Sequence, residues 1–153
     1  MFNISLRIVN HHAEAEDVLQ EAFLEAFSRI HDFRQETTFG LWLKQIVINK
    51  SINCLRKRKL DLVPLNEVDL AEPEELDEEN LQLQVESIKK AVSKLADGYR
   101  VVLTLYLFEG YDHQEIAEIL GISENTSRSQ YMRAKQKLKR LLDTKGEQDE
   151  HKT

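Results

Sequence analysis

Residues 113–135 read HQEIAEILGISENTSRSQYMRAK and predict a helix, a tight turn and a second helix. Apolar residues recur at helical spacing up to Gly121. Glycine adopts a left-handed backbone at little cost, so Gly121 is predicted to end the first helix. Ser123 or Asn125 then fits the cap of the second helix, because either side chain can accept the free amide protons of its first turn. The pattern is typical of a helix-turn-helix.

The second helix of this motif is predicted to have two different faces. Residues at steps of four and three form a buried stripe: Ser127, Tyr131, Ala134, Leu138 and Leu141. The other face carries Arg128, Ser129, Gln130, Met132, Arg133 and Lys135. A helix with these two faces suits the major groove of DNA. The pattern also leaves open an ordinary helical hairpin with a solvated basic face.

Composition predicts an all-α protein. The 153 residues include only 5 glycines and 2 prolines, and no segment shows sustained two-residue alternation. No apolar run of roughly 18 residues is present, so we expect no membrane insertion, and with no leader pattern we expect a cytoplasmic protein. Cys54 is the single cysteine, which excludes an internal disulfide, and it is interpreted as a small core residue.

Charge divides the chain into two small helical domains joined by a flexible acidic linker. Residues 1–60 have a net charge of +2, residues 61–86 a net charge of −10, and residues 87–153 a net charge of +2. We predict a first domain over 1–60, an acidic linker over 61–80, a second domain over 81–143 and a disordered tail over 144–153. Two mildly basic halves with an acidic tether are typical of a nucleic-acid binder.

The first domain is predicted to contain two long helices. The first, over 13–30, has a buried stripe at helical spacing: Ala15, Val18, Leu19, Ala22, Phe23, Ala26, Phe27 and Ile30. The second runs from Phe39 to about Lys59, is capped by Thr37 or Thr38, and is apolar nearly all round in its first half, so it should be central. Residues 2–10 look like the end of a helix, and one or two turns are not stable alone.

The second long helix ends in a basic cluster, residues 56–59, preceded by Asn49, Lys50 and Asn53. This polar strip favours contact with DNA phosphates, although cations at a helix C-terminus also complement the helix dipole. In the second domain, residues 99–108 (YRVVLTLYLF) predict a buried helix rather than a strand, and Asp112 fits the cap of the next helix.

No catalytic or metal-binding constellation stands out in the sequence. The glycines are scattered, and His11 and His12 have no third ligand at suitable spacing. No carboxylates follow a recognisable active-site signature. We therefore expect a binding protein rather than an enzyme, with no metal and no cofactor.

Taken together, the two halves resemble the extracytoplasmic-function (ECF) group of the sigma-70 family of bacterial transcription initiation factors. AEAEDVLQEAFLEAF, followed by FRQETTFGLWLKQIVINKSINCLRKRK, looks like region two of that family. The second half, LADGYRVVLTLYLFEGYDHQEIAEILGISENTSRSQYMRAKQKLKRLL, looks like region four. The resemblance covers roughly residues 3–142 except the linker. It implies a factor that binds core RNA polymerase and directs it to promoters.

The resemblance also implies a role for individual residues. Those that would bind the clamp helices of the largest polymerase subunit are Asp17, Gln20 and Glu21. A second set would bind the minus-ten element with its flipped base or contact its strands: Phe33, Arg34, Asn49, Lys50, Asn53, Arg56 and Lys57. Those that would face bases of the minus-thirty-five element are Arg128, Ser129, Met132 and Arg133. Those that would hold its phosphates are Asn125, Thr126, Gln130 and Lys135.

Further partners follow from the same resemblance. The polymerase flap and an anti-sigma factor are expected to bind the protein, the linker is expected to thread through polymerase, and an obligate homo-oligomer is not expected. When bound to polymerase, the protein is expected to associate with the nucleoid.

Two departures from the family pattern stand in this sequence. The family has most of another helix before residue 3, so we expect either a start upstream of Met1 or a weakened region two. Ser127 stands where the family usually has valine; its hydroxyl can bond back to the helix backbone, but packing worth on the order of 1 kcal/mol is lost. Two alternatives are an autonomous helix-turn-helix regulator that acts without polymerase and an adaptor that only sequesters partners.

Overall fold

The structure, a computed structural model, describes residues 1–58 and 85–150. Every regular element in these two ranges is helical, which confirms the predicted all-α class. The chain divides into two compact units, Met1–Pro64 (unit 1) and Leu65–Thr153 (unit 2). The acidic linker predicted over 61–80 lies outside the described residues. No helix within the described ranges is long and apolar enough to cross a membrane.

Unit 1 is a bundle built around one central helix. It contains α1 (Phe2–Val9), α2 (His12–Ser28), a short 3-10 turn (Ile30–Asp32) and α3 (Phe39–Arg58). α3 packs against both other helices, as its apolar sequence predicts. Its buried residues are Leu43, Ile46, Val47, Ile48, Ser51, Ile52 and Leu55.

The short helix α1 is stabilised by tertiary contacts. Ile8 and Val9 are fully buried. Two buried hydroxyl groups also connect the three helices: Ser51 Oγ lies 3.2 Å from Ser5 Oγ, and Ser5 Oγ lies 3.4 Å from the carbonyl oxygen of Ala15. A helix of eight residues is marginal alone in water, so this packing accounts for its formation.

The buried face of α2 is narrower than the sequence predicts. Ala15, Val18, Ala22 and Ala26 are buried, whereas the predicted burial of three larger residues is wrong. These are Phe23, Phe27 and Ile30, which are 38, 70 and 40 % exposed. Alanine at the contact lets α2 lie close to α3, and the bulky side chains at the edge of the stripe then extend past that contact.

Unit 2 contains α4 (Val85–Ser93), α5 (Asp97–Leu103), a π-helical turn (Thr104–Phe108), α6 (His113–Leu120) and α7 (Glu124–Glu150). The helix predicted over 99–108 is present and buried over 100–105, but the predicted burial of Leu107 and Phe108 is wrong, since they are 49 and 42 % exposed. Its second half widens into the π turn, where the amide of Glu109 donates to the carbonyl oxygen of Thr104 (3.1 Å). Arg100 is only 2 % exposed. Its guanidinium donates to the carbonyl oxygen of Leu95 (3.1 Å) and to the carboxylate of Asp97 (2.6 Å).

Helix α7 extends past residue 143, where the sequence predicts a disordered tail to begin, and reaches Glu150. The added residues are mostly good helix formers, and the one glycine among them costs only about 1 kcal/mol relative to alanine. Because extension of an existing helix needs no new nucleus, the helix continues. Residues 151–153 lie outside the described residues.

Candidate nucleic-acid interface

Local side-chain caps define the helix-turn-helix of unit 2. Asp112 begins α6 with a capping box: its carboxylate accepts from the amide of Glu115 (2.8 Å), and the Glu115 carboxylate accepts from the amide of Asp112 (3.3 Å). Gly121 ends α6 with a φ of 67°. Ser123, rather than Asn125, caps α7, because its hydroxyl accepts from the amide of Thr126 (3.0 Å). The predicted turn is therefore confirmed.

The predicted buried stripe of α7 is confirmed as far as Leu138. Ser127 and Ala134 are fully buried, and Tyr131 and Leu138 are 8 and 3 % exposed. Leu141 is half-buried. The stripe sets the orientation of α7, with its opposite face outward.

Most of the predicted DNA-facing residues of α7 lie on that outward face. Exposed members of the set are Asn125, Arg128 and Ser129, and half-buried members are Thr126, Met132, Arg133 and Lys135. The prediction that Gln130 faces outward is wrong, because its side chain is 7 % exposed. Gln130 follows Ser127 by three residues and precedes Ala134 by four, so it lies on their packed face.

Two of the cationic side chains on the outward face of α7 make contacts within their own helix. Arg128 pairs with Glu124 at 2.5 Å, and both side chains are largely exposed. Lys135 Nζ lies 5.1 Å from the centre of the Tyr131 ring. Exposed pairs of this kind contribute roughly 0.2–1 kcal/mol, so a phosphate or a base can replace Glu124 at little cost.

Helix α3 of unit 1 presents its polar residues as a track. Asn49, Asn53, Arg56 and Lys57 are exposed, and Lys50 is half-buried. Spacings of three and four residues put them on one side of the helix. With a rise of about 1.5 Å per residue, the track from Asn49 to Lys57 is about 12 Å long, which suits successive contacts along a nucleic-acid backbone.

An open groove of about 480 Å³ lies between α2 and α3. It brings together residues that the sequence assigns to two different partners: Asp17 and Glu21 for polymerase, and Lys50, Asn53, Arg56 and Lys57 for DNA. Gln20 is exposed but does not line the groove. The acidic face of α2 and the basic track of α3 are therefore neighbours.

Ion pairs join the two walls of this groove. Lys50 Nζ lies 2.8 Å from Glu25 Oε2, and an Arg58 nitrogen lies 3.2 Å from Glu14 Oε2. Hydrogen bonds from Lys50 and then from Arg29 lower the pKa of Glu25. The same bond with Glu25 raises the pKa of Lys50, so both partners stay charged across a wide pH range.

Cys54 lies in the lining of the groove rather than in the core. The cysteine is half-buried, and its Sγ lies 3.9 Å from Glu14 Oε2. Burial, followed by the charge of Glu14, raises the pKa of the thiol. A thiol that resists ionisation is a poor nucleophile.

Three aromatic rings meet where the loop after α2 enters α3. The ring centres of Phe33 and Trp42 are 5.3 Å apart, and those of Phe33 and Phe39 are 5.8 Å apart. Phe33 is half-buried, whereas Phe39 is 44 % exposed and Arg34 is exposed. The sequence identified Phe33 but missed the other two rings, although an aromatic pair three residues apart at a helix start is a readable signal. Thr38 caps α3, since its hydroxyl accepts from the amide of Leu41 (3.3 Å).

Together these features define a class. The protein has two helical units, of which one presents a helix-turn-helix with a polar outward face and the other a helix with a polar track and a partly exposed aromatic cluster at its start. Such a molecule is a two-domain helix-turn-helix protein suited to nucleic acid.

Comparisons with known proteins identify the family. The family model for Sigma-70 region 2 matches residues 1–60, and the model for Sigma-70, region 4 matches residues 86–138. The ECF RNA polymerase sigma factor SigM of Bacillus subtilis is 31 % identical, over 89 % of this chain and 83 % of that protein. The RNA polymerase sigma-H factor of Pseudomonas aeruginosa is 28 % identical, over 93 % of this chain and 80 % of that protein.

A solved structure has the same fold. The sigma factor RpoE from Bartonella quintana, in complex with the anti-sigma factor NepR, matches with a TM-score of 0.64 and 23 % identity, over 93 % of this chain and 89 % of that chain. The chain belongs to the ECF group of the sigma-70 family. It is an RNA polymerase sigma factor for promoter recognition, and the autonomous regulator is not favoured.

Sigma factors are in general transcription initiation factors without a catalytic role. Within the part of the chain that the structure describes, no group of three His, Cys, Asp or Glu side chains is arranged to hold a metal ion.

Proposed function

We propose that the two units contact promoter and polymerase through separate faces. Unit 1 binds the minus-ten element through α3 and its aromatic cluster, and binds polymerase through the acidic face of α2. Unit 2 reads the minus-thirty-five element through α7. The observation that carries this proposal is the exposure of Arg128 and Ser129 directly beside the fully buried Ser127, because an anchored helix with a polar outer face suits the major groove.

In unit 2, the proposed base contacts are made by Arg128, Ser129, Met132 and Arg133. Arginine can donate two parallel hydrogen bonds to guanine, which is the commonest specific base contact. The proposed phosphate contacts come from Asn125, Thr126 and Lys135. Gln130 is left out of this set, since its buried side chain packs within unit 2.

In unit 1, the proposed minus-ten contacts come from the loop before α3 and from the polar track of α3. Phe33 and Arg34 at the loop would meet a base that has left the stack, because an aromatic ring and hydrogen-bond donors can offset the few kcal/mol that unstacking costs. Asn49 would bind the same strand. The contacts to its backbone would come from Lys50, Asn53, Arg56 and Lys57.

The acidic face of α2 is the proposed polymerase contact. Asp17, Gln20 and Glu21 are all exposed, and we propose that they bind the clamp helices of the largest subunit, while unit 2 meets the flap. Exposed apolar side chains on α2, such as Leu24 (71 %) and Phe27 (70 %), are of the kind that protein interfaces cover.

An anti-sigma factor is a further proposed partner. Support comes from the fold neighbour, which was solved as a complex of a sigma factor with its anti-sigma factor. We also propose that the protein acts in the cytoplasm, associates with the nucleoid through polymerase, needs no cofactor or homo-oligomer and carries out no catalysis of its own.

Transcription by core RNA polymerase on a pool of randomised promoters tests this assignment. Arg128→Ala should change the bases selected at the minus-thirty-five element, and Asn49→Ala those at the minus-ten element. Lys139→Ala removes an exposed charge from α7 outside the proposed set and serves as the matched control. If Arg128→Ala leaves the selected minus-thirty-five bases unchanged, α7 does not have the proposed role.

A further inference from the structure

A partly buried polar contact joins the first turns of α6 and α7. His113 is the first residue of α6, and its Nδ1 lies 2.9 Å from Ser127 Oγ. Ser127 is fully buried, and His113 is half-buried. A buried hydroxyl that loses its partner costs roughly 1–3 kcal/mol, so this contact holds the two helix starts together.

Aromatic rings fix the histidine on its other sides. The His113 ring stacks on Tyr106 of the π turn, with ring centres 4.6 Å apart and planes at 17°. It also meets the edge of Tyr131 of α7 at 5.6 Å. Tyr106 and Tyr131 are themselves 4.4 Å apart. The imidazole of α6 is therefore held by two other elements, the π turn and α7, and it has little freedom to move relative to α7.

We propose that His113 is a positioning residue that sets the rotation of α7 about its own axis through Ser127. The inference rests on the proposed role of α7 in reading the minus-thirty-five element. Ser127 immediately precedes Arg128 and Ser129 in the chain, so the bond is made one residue from the proposed base contacts. His113 itself contacts no base.

The physical basis is the directionality of a hydrogen bond. Apolar contacts are non-directional, so a purely apolar crossing leaves a helix some freedom to rotate. A bond between two fixed polar atoms restricts both distance and angle. A rotation of about 10° moves the outer surface of a helix by roughly 1 Å, which is enough to misalign a two-point contact between an arginine and a base.

The test uses the full chain with a bacterial core RNA polymerase. The templates are linear DNAs with randomised minus-thirty-five and minus-ten blocks, and the transcripts are sequenced. Ser127→Ala removes the hydroxyl, and His113→Phe keeps a ring against Tyr106 but removes the nitrogen. Each should lower discrimination at the minus-thirty-five block about fivefold to tenfold. Preferences at the minus-ten block and affinity for core polymerase should stay within twofold of the parent (roughly 0.4 kcal/mol or less).

Three further variants separate positioning from folding. Ser51→Ala removes an equally buried hydroxyl from unit 1 and should leave the minus-thirty-five preferences unchanged. His113→Asn puts a polar atom close to the position of Nδ1 and should recover most of the discrimination. The double variant Ser127→Ala with His113→Phe should be no worse than either single change, because both remove the same bond.

The outcomes distinguish this inference from the proposed function. If the parent protein selects minus-thirty-five bases and both single variants select the same bases equally strongly, the positioning role is wrong and the reading role of α7 stands. If the parent selects no minus-thirty-five bases, both are wrong. Should Ser127→Ala unfold unit 2, Ser127→Thr keeps the hydroxyl, and a changed base preference in that variant would overturn the inference.

Discussion

Unit 1 and unit 2 hold their cations in different ways. In unit 1, Lys50 of α3 pairs with Glu25 of α2, so the ion pair connects two helices. In unit 2, Arg128 pairs with Glu124 one turn earlier in the same helix. A phosphate that takes Lys50 must break a contact between elements, whereas a base that takes Arg128 displaces only a local neighbour.

The contact between α2 and α3 in unit 1 also differs from the contact between α6 and α7 in unit 2. In unit 1, charged pairs at the edge of an open groove supplement the apolar packing of α2 against α3, and these pairs weaken when salt or a ligand competes. In unit 2, a partly buried contact between His113 and Ser127 joins α6 and α7, and it involves no ion pair. We infer that the ion pairs at the groove of unit 1 can be exchanged for contacts to DNA, whereas the contact between α6 and α7 keeps one geometry.

Removal of both arginines from α7 should have the largest effect. Arg128→Ala with Arg133→Ala should reduce promoter-specific transcription by a factor of roughly a hundred or more, since each paired base contact contributes about 1–3 kcal/mol of discrimination. Binding to core polymerase, measured by fluorescence anisotropy, should change less than twofold. Weakened binding to core polymerase instead would mean that α7 contacts polymerase rather than DNA. The different pairing of Arg128 and Lys50 would then say nothing about how the two units bind DNA.

In unit 1, loss of Asn49 should impair opening more than initial binding. Asn49→Ala should slow open-complex formation about tenfold, because a hydrogen bond to the strand that carries the flipped base is lost. Permanganate reactivity of thymines in the bubble reports opening, and band shift at low temperature reports the closed complex. Gln45→Ala, exposed on the same helix, is the control. Unchanged permanganate reactivity in Asn49→Ala would exclude this role.

Local signals explain what the sequence predicted well. Asp112 and Ser123 cap their helices through residues three positions away, so the sequence contains both partners of each contact. The buried stripe of α7 follows from spacing alone. Helix class, the order of the elements and the helix-turn-helix were therefore predictable.

Tertiary packing explains what the sequence missed. Gln130 is polar but lies on the packed face of α7, and Phe27 is apolar but 70 % exposed; both depend on which neighbours approach the helix. His113 and Ser127 are 14 residues apart, so their contact requires the actual crossing of α6 and α7. The groove between α2 and α3 was missed for the same reason.

Loss of the Glu25 carboxylate should free Lys50 to bind a phosphate. Glu25→Gln removes the partner that competes with phosphate, and should raise the affinity of holoenzyme for a single-stranded minus-ten oligonucleotide about threefold. Glu16→Gln removes the same charge from an exposed position of α2 that pairs with His12. An equal gain in both variants would show that net charge, and not the Lys50 pair, sets the affinity.

The smallest expected effect is a pH dependence confined to unit 2. Burial, and then the charge of Arg128, lowers the pKa of His113 from its usual 6.5. The unfolded chain therefore binds the proton more readily than the folded chain. The contribution of neutral His113 to the free energy of unfolding is present above about pH 6.5 and is lost progressively as the pH falls below that value. The urea concentration at the unfolding midpoint of the parent should decrease when the pH is lowered from 7.5 to 5.5. His113→Phe should make that decrease smaller. An identical decrease in both proteins would contradict the assignment.

One transcription experiment tests whether α3 and α7 contact separate promoter elements. Core RNA polymerase with the parent chain, on a pool of randomised templates, should select two blocks of sequence. Arg128→Ala with Arg133→Ala should erase the upstream block alone, and Asn49→Ala should weaken the downstream block alone. Loss of both blocks in either variant, or selection of a single block by the parent, would contradict the proposal that each unit contacts its own promoter element.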